Sequence, residues 1–432
     1  MSGRMARARW RRRRIPWRFA MAATVLVAIA AATAGWAARP QAPAAYSAQA
    51  VRWRTDLDYL STQLAAREDP EAFAAGKARF SREIAALIER APSASNAQMA
   101  VGIMQAVASF GIAHSAVTDL LFPAYPIRLA VFSDGLHVTA VDAAYRDLLG
   151  ARLVRVGAIS VQAAYERVST VISHENQAWL SELAPQDLTM PTILDGLGIL
   201  TSGHDELTFR TLTGATVTVS PPAYAPGQDP PLIRLPTSPP LYQQRPEEPF
   251  WFSYLAADQT LYVRYTQCTD PAGFAALTKQ VFALAATHPV QRLVVDLRQN
   301  EGGDTGVFDP FLAQLEASPL SRPGRLYAVI DQGTFSSGMD TAVELASAGA
   351  TLIGAPTGGK PDSYGEIGTF KLPDSGLTIS YATQYFAAAA PGTDPPSLMP
   401  AITIEPTFAQ YASGDDPVMN AILAAAPGSQ PK

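Results

Sequence analysis

The chain has 432 residues, 48% hydrophobic and 16% charged, with one Cys, 35 Pro and a formal net charge of −5. That apolar fraction excludes a disordered tail, and a single Cys excludes both a disulfide scaffold and a Cys-ligated zinc module. An acidic chain lacks the basic field that phosphate contacts need, so nucleic acid is not an expected partner, and the length predicts two or three domains.

The charge is unevenly placed. Of 33 Lys and Arg, nine Arg fall in residues 1–49, which hold no acid; the remaining 24 face 38 acidic side chains, a net of −14. Arg-rich residues 1–18, uncharged residues 19–38 and the small residues Ala34, Ala37 and Ala38 follow the order of an export signal. The uncharged run is also long enough to span a bilayer. Residues 1–41 are therefore expected to be a signal peptide or membrane anchor, the chain's only membrane contact. Residues 50–432 then lie outside the cytoplasm: periplasmic, extracellular or anchored. Cys268 reads as a small core hydrophobe.

In residues 52–118, Leu57, Leu60, Leu64, Phe73, Phe80, Ile84, Leu87 and Ile88 recur at three- and four-residue steps, which predicts a helical bundle. Ser95 or Asn96 caps a further helix running to about Phe110. Residues 125–220 alternate instead: 127–132 and 136–141 flank an Asp134-Gly135 turn, short strands follow near 153–156 and 159–161, and 207–212 with 215–219 make a second hairpin. Residues 162–200 between them read as helical. Residues 221–250 carry ten prolines, from Pro221 to Pro249, and read as an extended linker.

Residues 251–425 alternate strands (260–265, 292–297, 326–330, 351–353) with helices (271–287, 337–347), the pattern of an α/β parallel sheet with its chemistry in the turns after the strands. Three such turns carry candidate residues. The segment from Asp296 to Gly303 ends in two glycines that let backbone amides approach a substrate. The segment from Asp331 to Gly338 sets Ser336 at a helix N-terminus, where free N–H groups favour a developing oxyanion, although a Ser there is often only an N-cap. The third, Pro356 to Pro361, presents Lys360, which could act as a general base if burial lowered its pKa. Gly358-Gly359-Lys360 lacks the remainder of a P-loop, so nucleotide binding is not expected. No His or Cys cluster has metal-ligand spacing, so neither metal nor cofactor is expected.

Four blocks, 294–303, 328–331, 334–339 and 353–360, agree in order and spacing with the tail-specific (C-terminal processing) serine peptidase family, which the region 251–425 resembles. The resemblance implies a ClpP/crotonase-like catalytic core. Upstream, Ala113-His114-Ser115 resembles the family's Gly/Pro-His-Thr element, and residues 125–220 resemble a degenerate PDZ-like module. That module lacks the Gly-Leu-Gly-Phe loop and carries 162–200 as an insertion. The implied organisation is an α/β chain with an N-terminal helical bundle (52–118), the PDZ-like β-rich module (125–220), a linker (221–250) and the core (251–425).

Residue by residue, the resemblance makes Ser336 the nucleophile and places the oxyanion hole at the Ser337 amide with one from Gly302 or Gly303. Lys360 falls on the general base of the Ser/Lys members and is the preferred base, one residue short of the family spacing. His114 is the alternative, on the element that supplies a His in tricorn-type relatives. Met339 stands where Ser/Lys members often carry Glu, leaving Glu366 as the candidate orienting residue. The implied activity is endopeptidase cleavage of a polypeptide substrate. A non-catalytic binding protein, as in retinoid-binding relatives, and a crotonase-type acyl-thioester enzyme are the alternatives on the same fold.

Overall fold

The computed structural model describes residues 47–426, except 120, 121, 202–204, 229, 237 and 323. The expected leader, residues 1–41, lies outside the described residues. Among those described, no helix is long and apolar enough to cross a membrane.

The chain opens with α1 (Ala48–Arg67), α2 (Pro70–Arg90) and α3 (Asn96–Ala108). Local chemistry sets their starts. Asp69 accepts from the Glu71 and Ala72 amides ahead of Pro70, and Ser95 forms a capping box with Gln98. Their apolar faces meet over Leu57, Leu60, Leu64, Phe80, Leu87 and Met99. A short strand, β1 (Val117–Thr118), then leaves the bundle.

Next comes a seven-stranded mixed-length sheet: β2 (Ile127–Phe132), β3 (Gly135–Asp142), β4 (Arg152–Val156), β5 (Ile159–Ser160), β6 (Leu207–Arg210), β7 (Thr216–Val219) and β8 (Leu232–Arg234). Its pairs are antiparallel. Helices α4 (Val161–Val168), α5 (Gln177–Asp187) and α6 (Pro191–Gly196) fill the segment read as an insertion. The proline-rich stretch is not a free linker. Its middle, β8, pairs with β3, and Tyr224 bridges to Ala124, because prolines at 230, 231 and 236 flank a run whose own N–H groups remain available for pairing.

The third part contains β9 (Phe250–Leu255), β10 (Thr260–Tyr265), α7 (Pro271–Thr287), β11 (Arg292–Asp296), α8 (Asp309–Glu316), β12 (Leu326–Ile330), α9 (Ser337–Ser347) and β13 (Thr351–Gly354). It closes with β14 (Asp362–Lys371), β15 (Thr378–Ala387), β16 (Ile402–Thr403), α10 (Phe408–Ser413) and α11 (Pro417–Ala424). Six strands form one sheet in the order β16-β13-β12-β11-β10-β9, parallel except for β9. Strands β10 to β13 are buried at every residue, as a parallel sheet covered on both faces requires. One face packs Leu261, Leu293 and Val295 against α7, α8 and α9; the other packs Tyr262, Val294 and Tyr327 against Val418 and Ile422 of α11. This is an α/β architecture.

The β14–β15 hairpin leaves that sheet and joins β1 in the order β1-β15-β14. Phe370 and Ile379 enter the helical core, and Asp56 of α1 accepts from the Asp374 and Ser375 amides, both at 2.8 Å. Residues from Ala48 onward thereby pack as one compact unit.

At the C-terminal end of β11, Asp296 is fully buried. It accepts from Tyr262 at 2.8 Å and pairs with Arg298 at 2.5 Å and Arg264 at 3.4 Å, while Arg298 also pairs with Asp416 at 2.9 Å. Burial would raise the Asp296 carboxyl, but Arg298 and Arg264 outweigh it and hold the pKa below the usual range. Removing one partner leaves an uncompensated buried charge, so Arg298→Met should destabilise the protein by about 3–5 kcal/mol in urea unfolding. A loss near zero would show that the network contributes no net stability.

Candidate active site

Ser336 follows β12 at the N-terminus of α9 with φ 50° and ψ −131°, a conformation that L-residues rarely adopt. Its hydroxyl makes no capping bond. It lies instead 3.1 Å from Nε2 of His114. The turn beneath is fixed by Asn300, which is fully buried: its carbonyl accepts from the Phe335 amide at 2.8 Å, its Oδ1 from the Gly302 amide at 2.9 Å, and its Nδ2 donates to the Tyr265 carbonyl. Asp331 Oδ1 accepts from the Gln299 and Gly333 amides, locking the same two turns together.

Gly302 has φ 102°, and a Cβ there would lie 2.7 Å from Ser336 Cβ and 2.9 Å from the Ser337 amide nitrogen, so only glycine fits. Its own amide is taken by Asn300. The Gly303 and Ser337 amides, by contrast, make no backbone hydrogen bond among the described residues, and both residues border the cavity onto which Ser336 opens. Ser337 Oγ donates to the Gly303 carbonyl at 2.9 Å, which holds the pair in place.

His114 is delivered by long-range packing. Ser380 of β15 donates to the His114 carbonyl at 2.8 Å and accepts from the Ala116 amide at 3.1 Å. The next residue, Ser115, donates to the buried Glu68 carboxyl. The His114 ring stacks on Phe335 at 4.6 Å, and Phe335 stacks on Trp179 of α5 at 4.1 Å. Burial lowers the His114 pKa to about 4. The Tyr364 backbone pulls partly the other way, although its approach falls short of a hydrogen bond and leaves Nδ1 buried without a partner among the described residues. The imidazole is therefore neutral at pH 7 and able to accept a proton.

Lys360 is placed differently. Its ammonium pairs with Asp394 at 2.6 Å, it makes no hydrogen bond to Ser336, and it is not among the residues lining the Ser336 cavity. Its charge also acts on the buried Glu175, whose carboxyl burial pushes up to about 7. Met339 is buried below Gly359. Glu366 borders the cavity at φ 52°, beside Gly365, where a Cβ would lie 3.7 Å from His114 Cε1; its carboxylate is not bonded to His114. The structure thus brings together Ser336, His114, Gly302, Gly303, Ser337 and the backbone next to Glu366, and leaves Lys360 outside.

Sequence reasoning missed Phe335, Trp179, Asn176 and Asn300. Asn176 Nδ2 donates to the Gly358 and Pro396 carbonyls, tying α5 to the loop before Lys360. Phe335 and Asn300 lie inside recognised blocks, but their contacts are not encoded in spacing.

No protein-family model matches the sequence, and no curated protein matches it. Solved structures do. Mature CPAF superposes with a TM-score of 0.59 at 14% identity, covering 87% of this chain and 97% of that one. An alanine mutant of CPAF gives 0.60 at 11% identity over the same shares. The chain has the CPAF fold. The photosystem II D1 C-terminal processing protease aligns over 84% of this chain and 98% of its own at 14% identity, with a TM-score of 0.40. At these identities the likeness to CPAF concerns the fold.

The depressed His114 pKa has a directional consequence. The unfolded chain takes up a proton on this ring below pH 6.5, whereas the folded CPAF-like frame resists until about 4. The stability contribution is therefore full above pH 6.5 and is lost progressively between 6.5 and 4. An NMR titration should place the His114 ring midpoint near 4; a midpoint near 6.5 would mean that the ring is solvated.

Proposed function

We propose that the chain is a serine endopeptidase of the tail-specific type, with Ser336 as nucleophile and His114, rather than Lys360, as general base. The observation that carries this reading is the 3.1 Å contact between His114 Nε2 and Ser336 Oγ. Three features support it: the neutral buried imidazole, the free Gly303 and Ser337 amides, and a hydroxyl released from helix capping. The CPAF fold agrees with the four sequence blocks, and CPAF itself has been solved bound to lactacystin.

In this mechanism Ser336 Oγ attacks the peptide carbonyl carbon as its proton passes to His114 Nε2. The oxygen that becomes negative is received by the Gly303 and Ser337 amides, aided by the N-terminal dipole of α9. His114 then gives the proton to the leaving amine as the C–N bond breaks. Water, deprotonated by His114, hydrolyses the acyl ester and restores Ser336. Among the described residues no side chain orients Nδ1; the stack of Trp179, Phe335 and His114 holds the ring plane in that role. Glu366 is available to join only if substrate moves it.

On the same reading the six-stranded sheet is the ClpP/crotonase-type core and the second sheet a PDZ-like module. The Arg-rich leader supports a site of action outside the cytoplasm.

A fluorophosphonate probe should label Ser336 in the native protein and not in Ser336→Ala. His114→Ala should lower kcat/KM on an unstructured polypeptide by about 10²–10⁴-fold, while Lys360→Met should change it far less. The reverse order of the two effects would restore Lys360 as the base, and absence of labelling in folded protein would remove the peptidase reading.

A further inference from the structure

The cavity onto which Ser336 opens has a volume of about 780 Å³ and a one-sided charge. Its lining holds six carboxylates, from Asp119, Asp187, Glu301, Asp304, Asp340 and Glu366, and no Lys or Arg among the described residues. The neighbouring cavity, which shares Glu301, is also rich in carboxylates but sets Arg234, Arg245, Arg264 and Arg298 among them, so what distinguishes the Ser336 cleft is that its acids face no basic side chain among the described residues.

One of the six is built differently from the others. Asp187 is only 7% exposed, yet it borders the cavity, and its carboxyl group makes no hydrogen bond or ion pair with any described residue. It is the last residue of the eleven-residue helix α5, where the carbonyl ends of the helix disfavour a negative charge. Burial alone acts on its carboxyl and raises it to about 7. A carboxylate that is buried, unpaired and at the negative end of a helix is costly to keep. Met104, Val171, Ile172 and Leu183 supply apolar wall to the same cavity. A cavity with apolar wall and an unpartnered carboxyl in its lining suits a long methylene stem ending in a cation.

We propose that Asp187 is a specificity residue that receives the Lys or Arg side chain of a polypeptide substrate bound in the Ser336 cleft. The proposal rests on the serine peptidase reading above. The arriving ammonium or guanidinium supplies the partner that Asp187 lacks, and the remaining carboxylates of the cleft favour approach of a basic segment. Neutral residues of equal length leave the carboxyl unpaired and are selected against.

The test is a digest of a denatured protein mixture by the full chain, with cleavage sites mapped by mass spectrometry, beside fluorophosphonate labelling of the same preparation. Lys and Arg should be enriched at one fixed position relative to the scissile bond. On a matched peptide pair, kcat/KM should favour Lys over norleucine at that position by on the order of 10²-fold. Asp187→Asn, and Asp187→Ser as a second variant, should collapse this ratio towards one when each folds with a native circular dichroism spectrum. A labelled, cleaving enzyme with no basic enrichment, or with enrichment unchanged in both variants, would overturn the role of Asp187 while leaving the peptidase reading standing. Failure to label Ser336 would sink both. Binding separates the two further: Ser336→Ala should still hold a fluorescent Lys peptide more tightly than its acetyl-lysine counterpart, and equal affinities would count against Asp187.

Discussion

The structure depends on the packing that brings His114 Nε2 to Ser336 Oγ, a contact between residues 222 positions apart. A single hydrogen bond is worth only about 0.5–1.5 kcal/mol net, too little to bring two such distant segments together. The frame does that work beforehand. Ser380 pins the backbone on either side of Ser115, Glu68 holds the Ser115 hydroxyl, and Asn300 and Asp331 fix the turn that lifts Ser336. The bond is therefore a readout of the packing among the helical bundle, the β14–β15 hairpin and the parallel sheet, and any slip between them is felt first at this contact.

That frame also explains how a strained serine persists. The backbone of Ser336 costs of order 1–3 kcal/mol relative to a relaxed turn, and Gly302 is wedged against it with no room for a side chain. The strain is offset by the buried polar network around Asp296 and Asn300, directly beneath the same strand ends. Stability and site geometry are thus coupled through the C-terminal ends of β11 and β12, where an open α/β sheet leaves its turns free to vary.

Much of this was legible in the sequence, for physical reasons that differ by element. Helices α7 and α9 and strands β10 and β12 have the bounds that periodicity and flanking turns dictate, because each is a local pattern: Asp270-Pro271 starts α7, and Val and Ile runs mark strands buried on both faces. The hairpin β14–β15 is not legible. Its first strand is exposed or half-buried over most of its length, so no alternation marks it. Strand β8 is hidden within the prolines for the opposite reason, since three residues suffice to pair with β3. At the site, Ser336 and the glycines are carried by a contiguous turn and can be read from it. The side-chain placement of Lys360 and His114 cannot: the loop before Lys360 packs against the Ser336 turn, with the Gly359 amide donating to the Thr334 carbonyl, but the Lys360 ammonium is taken by Asp394, and His114 is brought to Ser336 through the hairpin.

The segment that departs most from the sequence resemblance borders the Ser336 cavity. Helix α5, within the apparent insertion at 162–200, contributes Trp179 to the ring stack behind His114, Leu183 and Asp187 to the cavity wall, and stands directly after Asn176, which fastens it to the 356–360 loop. Its capping bond from the Trp179 amide to Asn176 Oδ1 makes that fastening and the helix start a single event. The two N–H groups of Asn176 Nδ2 are shared among the Thr357, Gly358 and Pro396 carbonyls, more anchoring than a segment filling space beside a β-rich module requires. The geometry instead makes α5 one wall of the cavity, packed on β2 of the antiparallel sheet and fastened through Asn176 to the loop after β13 of the sheet that carries Ser336. Variation at Leu183 or Asp187 would then alter the cavity wall without touching the stack behind His114, whereas variation at Trp179 would disturb that stack.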